Sequence, residues 1–418
     1  MLRHVVRRMH ARPNQAQAGN RRAATGFWLI VFAVLGVVVA ACRPGSPSGG
    51  PPIVVGMIGP LSGDSAASGE AVQRGMLLAM EEINREGGVL GRQLELVARD
   101  VHNDPPAGVT ALRDMASQNN IVALFGNKWS PVMLAQVDLV HELQVPFINP
   151  GGALTAIVRN GRNPNYAFRV SMSDDEAQEF LARYALEVMG ARRPGVVTVA
   201  NVWGDANASG LAAWLARQGT PAAGSERLAE GETNMSRQLE RLRAAGADAV
   251  ILAGSANEGA AVVRGMGALG WKVPVLTTWS VSGGEFVERA GIENTDGVLT
   301  LQTFSFYGPL SGRADALLKA YHDRFGTRQV EEVLNSVSVA HAYDGVHLLV
   351  RAIRAAGTTD GPRVRDALEQ LEPYDGVVKR YAPAFTPEDH EALHAGDYQM
   401  GVWQGGRLVP APRPRLAP

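Results

Sequence analysis

The chain has 418 residues, of which 46% are apolar and 19% charged, with a formal net charge of −1 and one cysteine. That length exceeds what a single core holds comfortably, so two lobes are expected. A lone cysteine excludes an internal disulfide and leaves stability to core packing.

Residues 1–41 carry Arg3, Arg7, Arg8, Arg12, Arg21 and Arg22 and no acid, then an apolar run from Phe27 to Ala41 that ends at Cys42. This is the layout of an export signal, about four residues short of a comfortable membrane span. Val39-Ala40-Ala41-Cys42 resembles the bacterial lipobox, which implies that Cys42 is lipidated and becomes the new N-terminus. Removing the six arginines takes the formal charge from −1 to −7, which disfavours a nucleic-acid partner. After Cys42 the stretch RPGSPSGGPP, residues 43–52, reads as a flexible tether.

From Ile53 the chain alternates strand and helix. Ile53 to Ile58 is β-branched and apolar, as expected of a strand buried on both faces of a parallel sheet. From Gly69 the period changes: Val72, Met76, Ala79 and Ile83 share one helical face, and Gly87-Gly88 stops the helix. In a right-handed crossover the loop Pro60 to Ser68 lies at the carboxyl edge of the sheet, where open α/β folds place their ligands. Asp104 caps a short helix, Ile121 to Phe125 is a buried strand, and Ser130-Pro131 reads as an N-cap serine with proline at the first helical position. Val145 to Asn149 is a further strand, ending in the open loop Pro150-Gly151-Gly152-Ala153. Ser173 to Glu176 reads as a capping box. The alternation repeats with strands at 196–200, 249–254 and 274–278 and helices near 206–218, 235–245 and 257–269. Helices Arg313 to Phe325 and Val333 to Ala356 follow, and the end reads as a β-hairpin around Gly405-Gly406. The expected organisation is a signal peptide 1–41, a tether 42–52, lobe one from 53–173 plus 303–395, lobe two from 174–302 plus 396–410, and a tail 411–418.

Two motifs look catalytic and sit in the wrong context. His390-Glu391-Ala392-Leu393-His394 matches the zinc-protease pattern H-E-x-x-H, but Pro387 and Gly396 leave about two helical turns for it. Gly265 to Gly270 matches G-x-G-x-x-G, yet these glycines close a helix where the dinucleotide fingerprint opens one. With no G-x-S-x-G and no P-loop, no enzyme, cofactor or metal is expected.

The stretches IGPLSG, AMEEINREGGVLGRQLELVARD, VPFINPGG, RAAGADAVILAG, GALGWKVPVLTT, AHAYDGV and FTPEDHEA keep an order and spacing that resembles the type I periplasmic binding proteins, in the leucine/isoleucine/valine-binding branch that serves ABC importers. The resemblance implies an α/β fold with two Rossmann-like lobes joined by three crossing segments. It also implies a small ligand in the cleft, an ABC permease as partner, and an exported, periplasmic or membrane-anchored location. Ser130 matches the family serine that holds a ligand carboxylate, and a helix N-terminus suits an anion without arginine. Gly151 matches a residue whose backbone carbonyl accepts from the ligand ammonium, and Ala153 a threonine whose hydroxyl is lost. Asp174 matches an acid near the ammonium and equally suits a first helical turn. Trp203 stands for a tyrosine, and Ser255 for an aromatic. The loop Thr278-Trp279-Ser280 lacks the glutamate that pairs with an α-ammonium, so either Asp174 or Glu285 supplies that charge or the ligand has no ammonium. The expected function is a solute-binding lipoprotein for an amino acid or related carboxylate or amide. A ligand-sensing receptor subunit is the alternative, and a zinc hydrolase through His390 and His394 a remote third.

Overall fold

The computed structural model describes residues 49–413 and 415–416, so Cys42 and the expected export signal lie outside the described residues. β1 (Ile53–Gly59) is buried at six of its seven positions and is flanked by β2 (Leu94–Asp100) and β3 (Ala123–Phe125), both parallel to it. Between β1 and β2 runs α1 (Ala66–Arg85), which buries Val72, Met76, Ala79 and Ile83 as its period demands. α2 (Pro105–Asp114) is capped by Asp104, whose carboxylate accepts the Ala107 amide at 3.3 Å. α3 (Ser130–Glu142), β4 (Phe147–Asn149) and β5 (Ala167–Arg169) complete a five-stranded sheet in the order β2-β1-β3-β4-β5.

The chain then leaves that sheet through α4 (Asp174–Arg183) and builds a second one. It uses β6 (Pro194–Val199), α5 (Val202–Arg217), β7 (Gly224–Leu228), α6 (Ser236–Ala244), β8 (Ala249–Ala253), α7 (Ala256–Ala268), β9 (Val275–Thr277), α8 (Gly284–Ala290), α9 (Ile292–Thr295) and β10 (Leu299–Gln302). It returns to the first sheet with α10 (Gly312–Phe325), α11 (Ser336–Ala356) and α12 (Gly361–Leu368), followed by the short hairpin β11 (Tyr374–Asp375) and β12 (Arg380–Tyr381). A third passage brings β13 (Gln399–Gln404) and β14 (Arg407–Pro410) back, antiparallel, to give the order β14-β13-β10-β9-β8-β6-β7. Two α/β lobes joined by three passages of the chain result. The hairpin register that the two glycines left open is fixed by Gln404 opposite Arg407.

The sequence expectation missed β7, α8 and α12. β7 is an edge strand, Gly-Ser-Glu-Arg-Leu, in which only Leu228 is buried, so it carries no apolar run to find. α12 has only Val364 and Leu368 buried among charged neighbours.

α11 lies along α1 at a backbone-to-backbone approach that only glycine permits: a Cβ on Gly75 would come within 2.3 Å of the Val339 carbonyl oxygen. Gly75→Ala therefore forces the two helices apart, and urea unfolding of that variant is expected to show a loss of about 1–3 kcal/mol. An unchanged midpoint would mean that the helices are free to slide.

A cleft between the two sheet edges

The carboxyl ends of β3, β4, β6, β8 and β9 face one cavity. Its lobe-one wall is Lys128, Trp129, Ser130, Pro131, Gly151 and Ala153, with Met172 at the passage to lobe two. Opposite them stand Asn201, Trp203, Ser255, Thr278, Trp279 and Ser280.

On the first wall, Asn127 donates to the Ile58 carbonyl (3.2 Å) and accepts the Trp129 amide (2.6 Å), which sets the entry angle of α3. The N-cap of α3 is Trp129, which corrects the reading of Ser130 as the cap: Ser130 is the first helical residue and Pro131 the second. The Ser130 hydroxyl instead accepts the Leu154 amide at 3.3 Å, fastening the helix start to the next loop. The first intrahelical bond runs from the Met133 amide to the Trp129 carbonyl, so the Ser130 and Val132 amides precede the ladder and Pro131 has none. Asn149 holds the neighbouring loop by accepting the amides of Gly151 (3.0 Å) and Gly152 (2.7 Å). Gly151 presses against Asn127 and Lys128, where a Cβ would meet backbone atoms at 2.9 Å. The Ala153 carbonyl is already engaged by Arg169 Nη1 (2.5 Å) and the Asp174 amide (2.8 Å).

On the second wall, Asn201 caps α5 by accepting the Gly204 amide at 3.0 Å. Ser255 caps α7 in a capping box with Glu258, whose carboxylate accepts the Ser255 amide and hydroxyl as well as the Gly231 amide. Ser280 donates to the Gly254 carbonyl at 2.5 Å, fixing the loop that carries Trp279. Trp279 is 2% exposed, and its indole nitrogen has no acceptor among the described residues. Its ring meets His341 edge-on at 6.2 Å. Burial pushes the His341 imidazole down to about 4, so it is neutral, and it joins the Pro150 carbonyl (3.1 Å) to the Thr303 hydroxyl (3.0 Å) behind the cleft.

Six of the seven candidate residues, Ser130, Gly151, Ala153, Trp203, Ser255 and Trp279, line this one cavity. Asp174 does not. It is 1% exposed and sits behind Trp203, whose indole nitrogen donates to Asp174 Oδ1 at 3.2 Å, while Oδ2 is buried without a partner among the described residues. Burial raises its pKa to about 6 against the opposing Trp203 bond and the Arg169 charge. The expected capping box at Ser173 is also absent. Ser173 is the N-cap of α4 with no side-chain bond to the helix, and Glu176 turns away to accept from His394 and the Ala395 amide. Glu285 lies in adjoining cavities, beside Pro60, Ser65 and Ser68 of the loop after β1. The lining residues missed from sequence are Lys128, Trp129, Pro131, Met172, Asn201, Thr278 and Ser280; all but Met172 follow a strand or open a helix at an edge already expected to bind, which was the signal available.

The H-E-x-x-H residues are not on a helix. Glu391 bridges to β5 at Arg169, His390 is held by the Ala167 carbonyl (2.9 Å) and Glu369 (2.9 Å), and His394 faces Glu176 and Asp389. The two imidazoles are thus tied to different partners, and no group of three or more metal-ligating residues occurs among the described residues. The zinc reading is withdrawn on that geometry. Gly265 and Gly267 lie in the last turns of α7, and Gly270 just beyond it has φ 58°, as a helix stop requires.

A family model described as periplasmic binding protein matches residues 52–407. The chain belongs to that family. Membership makes it a small-ligand-binding protein of the exported, extracytoplasmic class. A Leu/Ile/Val-binding protein homolog 3 of Brucella melitensis is 25% identical over 361 residues, covering 85% of this chain and 93% of the relative. A Leu/Ile/Val-binding protein homolog 2 of Brucella abortus is 27% identical over 357 residues, covering 85% and 91%. Among solved structures, a type 1 periplasmic binding protein from Bordetella pertussis Tohama I superposes with a TM-score of 0.79 at 26% identity, covering 86% of this chain and 100% of that one. The substrate-binding protein LivJ of Streptococcus pneumoniae, solved with isoleucine, shares the fold with a TM-score of 0.75 at 24% identity, covering 85% and 97%.

Proposed function

We propose that the protein is the substrate-binding component of an ABC importer that captures a small carboxylate-bearing solute between its lobes. The lobes are taken as 53–173 with 303–395 and 174–302 with 396–410, in line with the two sheets. The observation that carries the reading is the start of α3. Its Ser130 amide, which precedes the helical ladder, and its partial positive charge lie at a cleft whose other wall comes from the second lobe. The solute bridges Ser130, Gly151 and Ala153 to Trp203, Ser255 and Trp279, with Asp174 behind them fixing Trp203, and its binding closes the hinge. The relatives named as Leu/Ile/Val-binding proteins support the capture of a small solute of this kind. After removal of residues 1–41, Cys42 carries the lipid; mass analysis of native protein tests this, and an unmodified peptide running through Cys42 would remove the anchor.

Ser130→Ala is expected to weaken binding of the best carboxylate by about 1.5–3 kcal/mol, as loss of a charge-assisted hydrogen bond does. Folding should lose only about 1 kcal/mol from the vacated Leu154 amide. Calorimetry beside thermal melts separates the two. Unchanged affinity would take Ser130 out of the site.

A further inference from the structure

The charges around the cleft are arranged in an uneven way. Three acids lie nearby and none is on its wall: Asp174 is covered by Trp203, Glu258 is occupied by three donors around Ser255 and Gly231, and Glu285 lines the adjoining cavities. The only ionic side chain among the lining residues is Lys128. Its ammonium has no hydrogen bond or ion pair among the described residues; it lies over the ring face of Trp279, 5.8 Å from the centroid, and its side chain also lines the adjoining cavities that hold Glu285. Burial holds the Lys128 pKa below its ordinary value although Glu285 and Glu258 pull it up. Across the cleft, the Trp279 indole nitrogen is a buried donor without an acceptor among the described residues. A zwitterionic amino acid would bring a cation to a wall that has no anion and already holds a cation, and desolvating it there is costly. An anion would satisfy every one of these groups.

Resting on the solute-binding reading above, we propose that the cleft selects an organic acid without an ammonium group, its carboxylate received by the Lys128 ammonium together with the α3 N-terminus. Lys128 is then the residue that sets this protein's ligand class.

The test is calorimetry on the exported chain with pairs sharing one carbon skeleton: leucine against 4-methyl-2-oxopentanoate, phenylalanine against phenylpyruvate, glutamate against 2-oxoglutarate. The oxo acid of the best-bound pair is expected to bind roughly tenfold tighter than its amino acid. Lys128→Met should weaken it by roughly 10- to 100-fold, the loss of one charge-assisted bond, while Lys128→Arg keeps it within about tenfold. A structural role for Lys128 would lower the melting temperature of both variants without separating their affinities. An amino acid that outbinds its oxo acid, or a folded Lys128→Met protein with parental affinity, overturns the proposal and leaves solute binding standing. If no carboxylate of either kind binds, both readings fall.

Discussion

Glu391→Ala is expected to destabilise the folded chain by about 3–5 kcal/mol, because it strands a buried guanidinium. Both side chains of the pair are fully buried, with Arg169 Nε 3.1 Å from Glu391 Oε2 and Arg159 reaching the other oxygen at 4.0 Å. Arg169 also donates to the carbonyls of Ala153, Leu154 and Met172, so it shapes the loop that brings Gly151 and Ala153 to the cleft. The segment itself is tied to β5 by backbone bonds of 2.9 Å on either side of Glu391. Urea denaturation measures the single variant, and the double variant Arg169→Met/Glu391→Leu should recover only part of the loss, since it removes the unpaired charge but leaves the Leu154 and Met172 carbonyls without their donor. A single variant within about 1 kcal/mol of the parent would show that solvent reaches the pair.

A pH-dependent difference of about 3 kcal/mol is expected between the parent and Asp174→Asn. The folded carboxyl titrates at about 6 and its ordinary value is 3.8. A raised folded pKa gives a contribution that is complete below the unfolded value and is lost as pH rises through the folded one. The parent therefore loses stability relative to the asparagine variant between pH 4 and pH 6, and the gap stays constant above about 7. Unfolding free energies of both proteins at pH 4, 5, 6 and 7 measure it. A difference that does not move with pH would mean that Asp174 is ionised throughout, with its buried oxygen paired after all.

The alternation of buried strands with amphipathic helices was readable because β1, β6 and β8 are near-continuous apolar runs and α1 and α11 keep a helical period along whole faces. From that alternation the sheet edge that hosts the cleft followed. Ser130, Gly151, Trp203, Ser255 and Trp279 could be placed because each sits just past a strand. Lys128 was not singled out: a lysine in a polar loop looks solvated until packing from β9 and the Trp279 loop closes over it. Asp174 failed for the opposite reason, since helix position alone does not reveal that the Trp203 indole, 29 residues further on, covers its carboxylate. The hydroxyl of Ser130 was assigned to its own helix because sequence shows only the near partner; Leu154, 24 residues away, took it.

The outer strands of the two sheets bear on self-association. β7 ends the second sheet with alternating exposed charge, Glu226 held by Arg241 and Arg227 by Asp205. At its other border β14 is four residues long and finishes in Pro410. β5, also short, has its free side occupied by the chain at Glu391, and β2 presents Glu95 and Arg99. Unpaired strand borders are templates for another chain, and short length, charge, proline and a covering segment each blunt them. A chain of this kind offers few places where one sheet can add itself to the next.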